Sequence, residues 1–132
     1  MSHTSLAKIG KGCGMRAIRG ATQLAADDAA EMSEATVELL EQMLSRNQLR
    51  SDDLISVIFT ATPDLVCGFP AAAARDIGFG NVPLLCATEI AVAGAPKHII
   101  RVLMHADTEL PKDQVQHVYL RGAEVLRQDL AQ

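Results

Sequence analysis

The run Ile99-Ile100-Arg101-Val102-Leu103-Met104 constrains this chain more than any other stretch, because it sets a single guanidinium among five large apolar side chains. Read as a strand, it points Arg101 to the same face as Ile99 and Leu103, while Ile100, Val102 and Met104 take the other. Arginine keeps its charge under ordinary conditions and carries five donors in a rigid fork, so a half-buried position requires an anion opposite. That anion is either an internal carboxylate, Glu89 or Asp107, or a ligand.

The totals limit the company such a residue can keep. A chain of 132 residues that is 48% hydrophobic and 21% charged is long enough for one globular domain with a sizeable core. No apolar run is long enough to cross a bilayer and no signal-type segment opens the chain, so the expectation is a cytoplasmic protein with no membrane partner. Cys13, Cys67 and Cys86 are odd in number and widely spaced, which fits neither a disulfide framework nor a CxxC metal site. A net charge of −4 argues against a nucleic-acid partner. Eight of the twelve basic residues are arginine, several of them alone between apolar or small neighbours, a bias that suits bidentate grip on small carboxylates.

In chain order, residues 1–14 alternate glycine from Gly10 to Gly14 but follow no strand, so they read as a flexible leader rather than a phosphate loop, ahead of one domain over 15–132. Met15 to Thr22 alternates as a first strand, and Gly20 leaves room for a backbone or ligand beside Arg19. A helix from Asp28 to Arg46 opens on an Asp28/Glu31 capping pair and carries the stripe Met32, Leu39, Leu40, Met43 and Leu44. Its acids read as a solvated face. Leu54 to Thr60 is continuous enough for a strand covered on both faces. Ala61-Thr62-Pro63-Asp64 turns the chain, and Pro70 opens a short helix to Asp76 that carries Arg75. Val82 to Ala87 is a short strand running into Glu89, a carboxylate in the apolar neighbourhood Ile90 to Gly94 that needs a cation or donor. After the Arg101 strand comes a polar loop over 107–113, a last strand over 116–120 with the lone Tyr119, and a terminal helix over 122–130.

Known catalytic signatures are missing. No nucleophile elbow, Cys-His signature or helical HExxH is present, and the four histidines are too scattered to suggest a metal. Cys86 reads as a packed thiol. What remains is four arginines (Arg19, Arg75, Arg101, Arg127), Glu89 and Tyr119, a set that can hold a small dianion and stabilise displaced charge but offers no proton shuttle.

The segments MRAIRGAT, ATPDL, FPAAAAR, VPLLCATE, IRVLMH and HVYLRGAEVLR, in that order, resemble the monofunctional chorismate mutases of the trimeric, mixed α/β class, over Met15 to Leu130. The resemblance implies an α+β fold with a five-stranded mixed sheet packed by helices. It implies a homotrimer forming a pseudo α/β-barrel around a sheet-lined core, with active sites between subunits. The implied reaction is the [3,3] rearrangement of chorismate to prephenate, on the route to phenylalanine and tyrosine, with no cofactor and no metal. Carried over by position, Arg101 donates to the ether oxygen, Glu89 partners the ring hydroxyl, and Arg19 and Tyr119 meet a carboxylate. Cys86 stands beside the hydroxyl. Phe69, Ala71, Arg75, Leu84, Leu85 and Leu126 line the cleft, with Arg75 and Arg127 at its mouth. Ala72, Leu85 and Gln128 depart from the family pattern in ways that bear on affinity and on closure of the C-terminal segment.

Two other readings fit the same inventory. One is an imine or enamine deaminase of similar trimeric architecture, which needs activated water and proton transfer. The other is a non-catalytic trimer that binds a dicarboxylate metabolite.

Overall fold

The computed structural model describes residues 14–130, with side chains through residue 127. The expected leader falls on residues 1–13, outside the described residues, except that Gly14 already opens the first strand; the Gln128 side chain also lies outside them.

The elements run β1 (Gly14–Gln23), α1 (Ala29–Arg46), β2 (Leu54–Ala61), α2 (Pro70–Asp76), β3 (Leu84–Thr88), β4 (Ile99–Thr108), β5 (Val118–Tyr119) and a 3₁₀-helical segment, Arg121–Leu130. The sheet order is β3-β2-β4-β1-β5. β4 is antiparallel to both its neighbours, β1 and β2, whereas β3 and β5 are parallel to theirs. The fold is therefore α+β with a five-stranded mixed sheet, as expected.

Both helices cover one face of that sheet. α1 starts where Asp28 accepts the Glu31 N–H at 2.8 Å, and it buries Met32, Ala35, Thr36, Leu39, Leu40 and Met43. Each fully buried large side chain contributes about 1.5–3 kcal/mol against about 1 kcal/mol for a cap, so the cap decides where α1 begins and the stripe decides where it lies. The core beneath joins Ile18, Val57, Phe59, Val102 and Met104 from the strands to Leu39, Leu40 and Met43, with Ala71 and Ala74 from α2. Gly20 serves this face: a Cβ there would sit 2.4 Å from Met43 Sδ, so the bare backbone lets α1 close on β1.

Several elements differ from the sequence reading: β5 spans only Val118–Tyr119 against the expected 116–120, and the terminal helix is a 3₁₀ segment that starts at Arg121. β4 continues to Thr108, through residues expected in a loop, because β1 pairs with it as far as Gly14–Thr108. β3 begins at Leu84 rather than Val82, since Val82 donates back to Phe79 in a turn and Pro83 has no N–H to give. Glu34, Glu38 and Glu41 lie on an exposed face of α1, as expected, but Glu31, Glu34 and Glu38 also stand 3.9, 3.4 and 3.0 Å from Arg121, with the Glu31 side chain only 21% exposed.

A polar clamp fixes the entry to β4. His98 takes a left-handed φ of 59° and donates its backbone N–H to both Asp64 carboxylate oxygens at 3.2 Å, while Ile99 N–H donates to Thr62 Oγ1 at 3.1 Å. Burial alone would raise the Asp64 pKa, but the Thr62 hydroxyl, the His98 N–H and the nearby imidazole outweigh it and hold the carboxyl below its ordinary value. Arg101 begins three residues beyond this clamp.

Candidate active site on the open sheet face

The strand register sorts the side chains. Arg101 pairs with Ala21 on one side and Thr60 on the other, and Thr60 pairs in turn with Ala87. One step along, Leu103 pairs with Arg19 and Ile58, and Ile58 with Leu85. Side chains at paired positions share a face. These two rows point away from the helices, and Tyr119, paired with Ala21, extends the first row.

A cavity of about 300 Å³ opens on those rows, lined by Arg19, Thr60, Glu89, Arg101, Leu103 and Tyr119 among others. This volume lies at the lower end of small-molecule sites. Arg101 Nε is 3.2 Å from a Glu89 carboxylate oxygen, with the two side chains 43% and 19% exposed. The Arg101 N–H does not point along that line, so the nitrogen is buried without a hydrogen bond. The charges touch, yet the guanidinium keeps donors to offer. Thr60 Oγ1 donates to Glu89, fixing the carboxylate from the sheet side. The internal carboxylate opposite Arg101 is therefore Glu89, and the pair borders a cavity.

Arg19 donates its backbone N–H to His117 Nδ1 at 2.9 Å, so Nδ1 carries no proton. Burial, with help from the Arg19 charge, pushes the His117 pKa below its ordinary value. A larger cavity of about 540 Å³ shares Arg19 and Leu103 and adds Arg16, Lys112 and His117, but it reaches neither Glu89 nor Arg101. The smaller one brings opposed charges together, Arg101 on β4 and Glu89 one residue past the end of β3.

The remaining expected site residues lie elsewhere. Phe69, 73% exposed, lines a third cavity of about 280 Å³ at the carboxyl ends of β2 and β3, next to the Arg101 cavity, together with Val66, Cys86 and Thr88. The two cavities have Thr60 in common. Ala71 is buried in the α2 contact with the core, and Leu84 and Cys86 pack on the helix side of β3. Leu85 is on the open face, 60% exposed. Leu126 packs beside Tyr119 against Ala21, Ile99 and Ala123, whereas Arg75 and Arg127 are exposed. Sequence reasoning missed Thr60 and Ile58, whose only signal was the alternation of β2; pairing them with Arg101 and Leu103 needs the register. Cys67 is no rival nucleophile, since burial and the Asp27 carboxylate push its thiol up to about 11.

A family model described as chorismate mutase type I matches residues 15–130. The chain belongs to that family. It is 49% identical over 117 residues to the chorismate mutase AroH of Thermus thermophilus, covering 88% of this chain and 96% of the relative. It is 42% identical over 118 residues to the chorismate mutase AroH of Bacillus subtilis, covering 89% and 93%. The solved structure of a chorismate mutase from Clostridium thermocellum superposes with a TM-score of 0.81 at 47% identity, over 83% of this chain and 97% of that one. Neither the deaminase nor the non-catalytic reading is favoured beside this match. Within the type I chorismate mutase fold, the pairing of Arg101 with Glu89 thus occurs on the central strand β4, between β1 and β2, on the helix-free side of the sheet.

Proposed function

We propose that this chain rearranges chorismate to prephenate, for phenylalanine and tyrosine synthesis, in the cavity that Arg19, Glu89, Arg101 and Tyr119 border. One observation carries the reading: a permanent cation with unspent donors stands beside a fixed carboxylate in a semi-enclosed chamber.

The reaction breaks a C–O bond and forms a C–C bond within one molecule, moving no proton and changing no oxidation state. Bond breaking runs ahead, so negative charge gathers on the ether oxygen while the ring becomes electron-poor. Arg101 meets that oxygen. Glu89, held by Thr60, faces the ring and its hydroxyl. Both interactions strengthen as charge separates, which is the condition for raising the rate rather than merely tightening binding. Arg19 and Tyr119 grip a carboxylate and hold the enolpyruvyl arm over the ring, a contribution of orientation.

The same proposal makes the working unit a homotrimer. The open sheet face exposes Leu85, and the loop after β3 exposes Ile90 and Val92, a large apolar surface for a lone chain. Phe69 and Cys86 line a different cavity from Arg101, and a cleft between subunits would bring such halves together. Cys67 and Cys86 are free thiols, in keeping with a cytoplasmic setting.

Purified protein mixed with chorismate should abolish the ultraviolet absorbance of the diene and yield prephenate, and it should sediment as a trimer. A rate no faster than the uncatalysed reaction would sink the reading of the site, and a monomer with full activity would sink the shared cleft.

A further inference from the structure

Beyond Tyr119 the chain turns sharply at Arg121, whose φ is 56°, a left-handed value that L side chains other than Asn and Asp seldom adopt. Glycine is the residue that takes this conformation without strain, and glycine stands one position later, at Gly122. Gly122 is required there for another reason: a Cβ would lie 1.8 Å from Gln23 Oε1, so the segment passes against β1 with no room to spare. The arginine at this strained position carries a side chain with partners of its own.

That side chain reaches across to α1. Its Nε donates to Glu38 at 3.0 Å and an Nη donates to Glu34 at 3.4 Å, with Glu31 3.9 Å away. The three acids sit one turn apart, at i, i+3 and i+7, on a single stripe. The side chain is 30% exposed, and the carboxylates raise the guanidinium pKa, Glu38 foremost. Immediately after the latch, Ala123 is fully buried and Leu126 packs with it beside Tyr119, which lines the candidate chamber. Arg127 follows.

Resting on the function proposed above, we propose that Arg121 is a positioning residue: by locking the 3₁₀ segment to the acidic stripe of α1, it holds Tyr119, Leu126 and Arg127 in place to receive the substrate. It touches no reacting atom. Its loss therefore weakens capture of the dianion and leaves the charge-stabilising pair, Arg101 and Glu89, in place.

The test uses Arg121→Gly, which suits the left-handed backbone while removing the charge, with Arg121→Lys as the conservative variant and Glu38→Gln as an independent cut of the same contact. Arg121→Gly should raise KM for chorismate at least fivefold with kcat within a factor of two. Glu38→Gln should do the same more weakly, and Arg121→Lys should recover most of the loss. Amide exchange should quicken over residues 121–127 in Arg121→Gly and stay slow in α1. An unchanged KM, or a fall in kcat that tracks the folded fraction, overturns the proposal. If wild-type protein failed to turn over chorismate, the functional reading would fall, while the exchange experiment would still judge the latch by itself.

Discussion

The two faces of the sheet are made by the same strands and differ in completeness. On the helix side, Ile18, Val57, Phe59, Val102 and Met104 are buried to within a few per cent, and apolar atoms meet apolar atoms. On the open side the alternate residues are Arg19, Ile58, Thr60, Arg101 and Leu103, part-buried or exposed, with a charge pair among aliphatic neighbours. A period of two thus divides the labour residue by residue along β4: one set holds the chain together and the other waits for something outside it.

Substitutions that respect this division should separate stability from turnover. Phe59→Ala, on the closed side, should show the largest effect, about 3–5 kcal/mol of folding free energy, measured by denaturant titration. Its active fraction should keep normal KM. Arg101→Ala, one step away on the other side, should leave the melting curve nearly unmoved and cost about 3–4 kcal/mol of barrier, roughly a thousandfold in kcat. Retention of more than about a tenth of the wild-type rate would break the contrast. Thr60→Val keeps the shape of β2 but frees the Glu89 carboxylate, so kcat should drop about tenfold, in line with the loss of one hydrogen bond to a charged group.

The smallest effect is a pH dependence at the rim. Because folding lowers the His117 pKa below 6.5, its contribution is complete above that value. As pH falls the unfolded chain takes up the proton first, so stability declines until the folded imidazole also titrates. Wild-type melting temperature should therefore fall, as the pH drops through 6.5 and below, more steeply than that of His117→Gln, which cannot titrate. Equal slopes would remove His117 from the account. At saturating substrate kcat should stay flat above this range, since no proton moves in the reaction.

Much of the closed side was legible in the sequence. Asp28 with Glu31 announced the start of α1, Pro70 announced α2, and the alternation around Arg101 assigned both faces of β4. The open side was harder for a physical reason. Ile90 and Val92 suggest a buried setting for Glu89, yet they are 84% and 62% exposed, because composition cannot tell an apolar residue that its own chain covers from one that it leaves open. Arg19, Glu89 and Tyr119 came together through family resemblance, since their proximity depends on strand register. Arg121 was invisible: nothing in Leu120-Arg121-Gly122 signals a left-handed turn, and Glu31, Glu34 and Glu38 read only as part of a solvated face, with no sign that a cation stands against it.

β4 lies third of five in the sheet, bonded along both flanks. Interior strands are the last to exchange their amide protons, and they open only when the whole molecule does. The cation on that strand therefore shares the lifetime of the native state itself. On gradual heating, catalytic rate per native molecule should keep climbing until cooperative melting begins, with no earlier inactivation that spares the secondary structure.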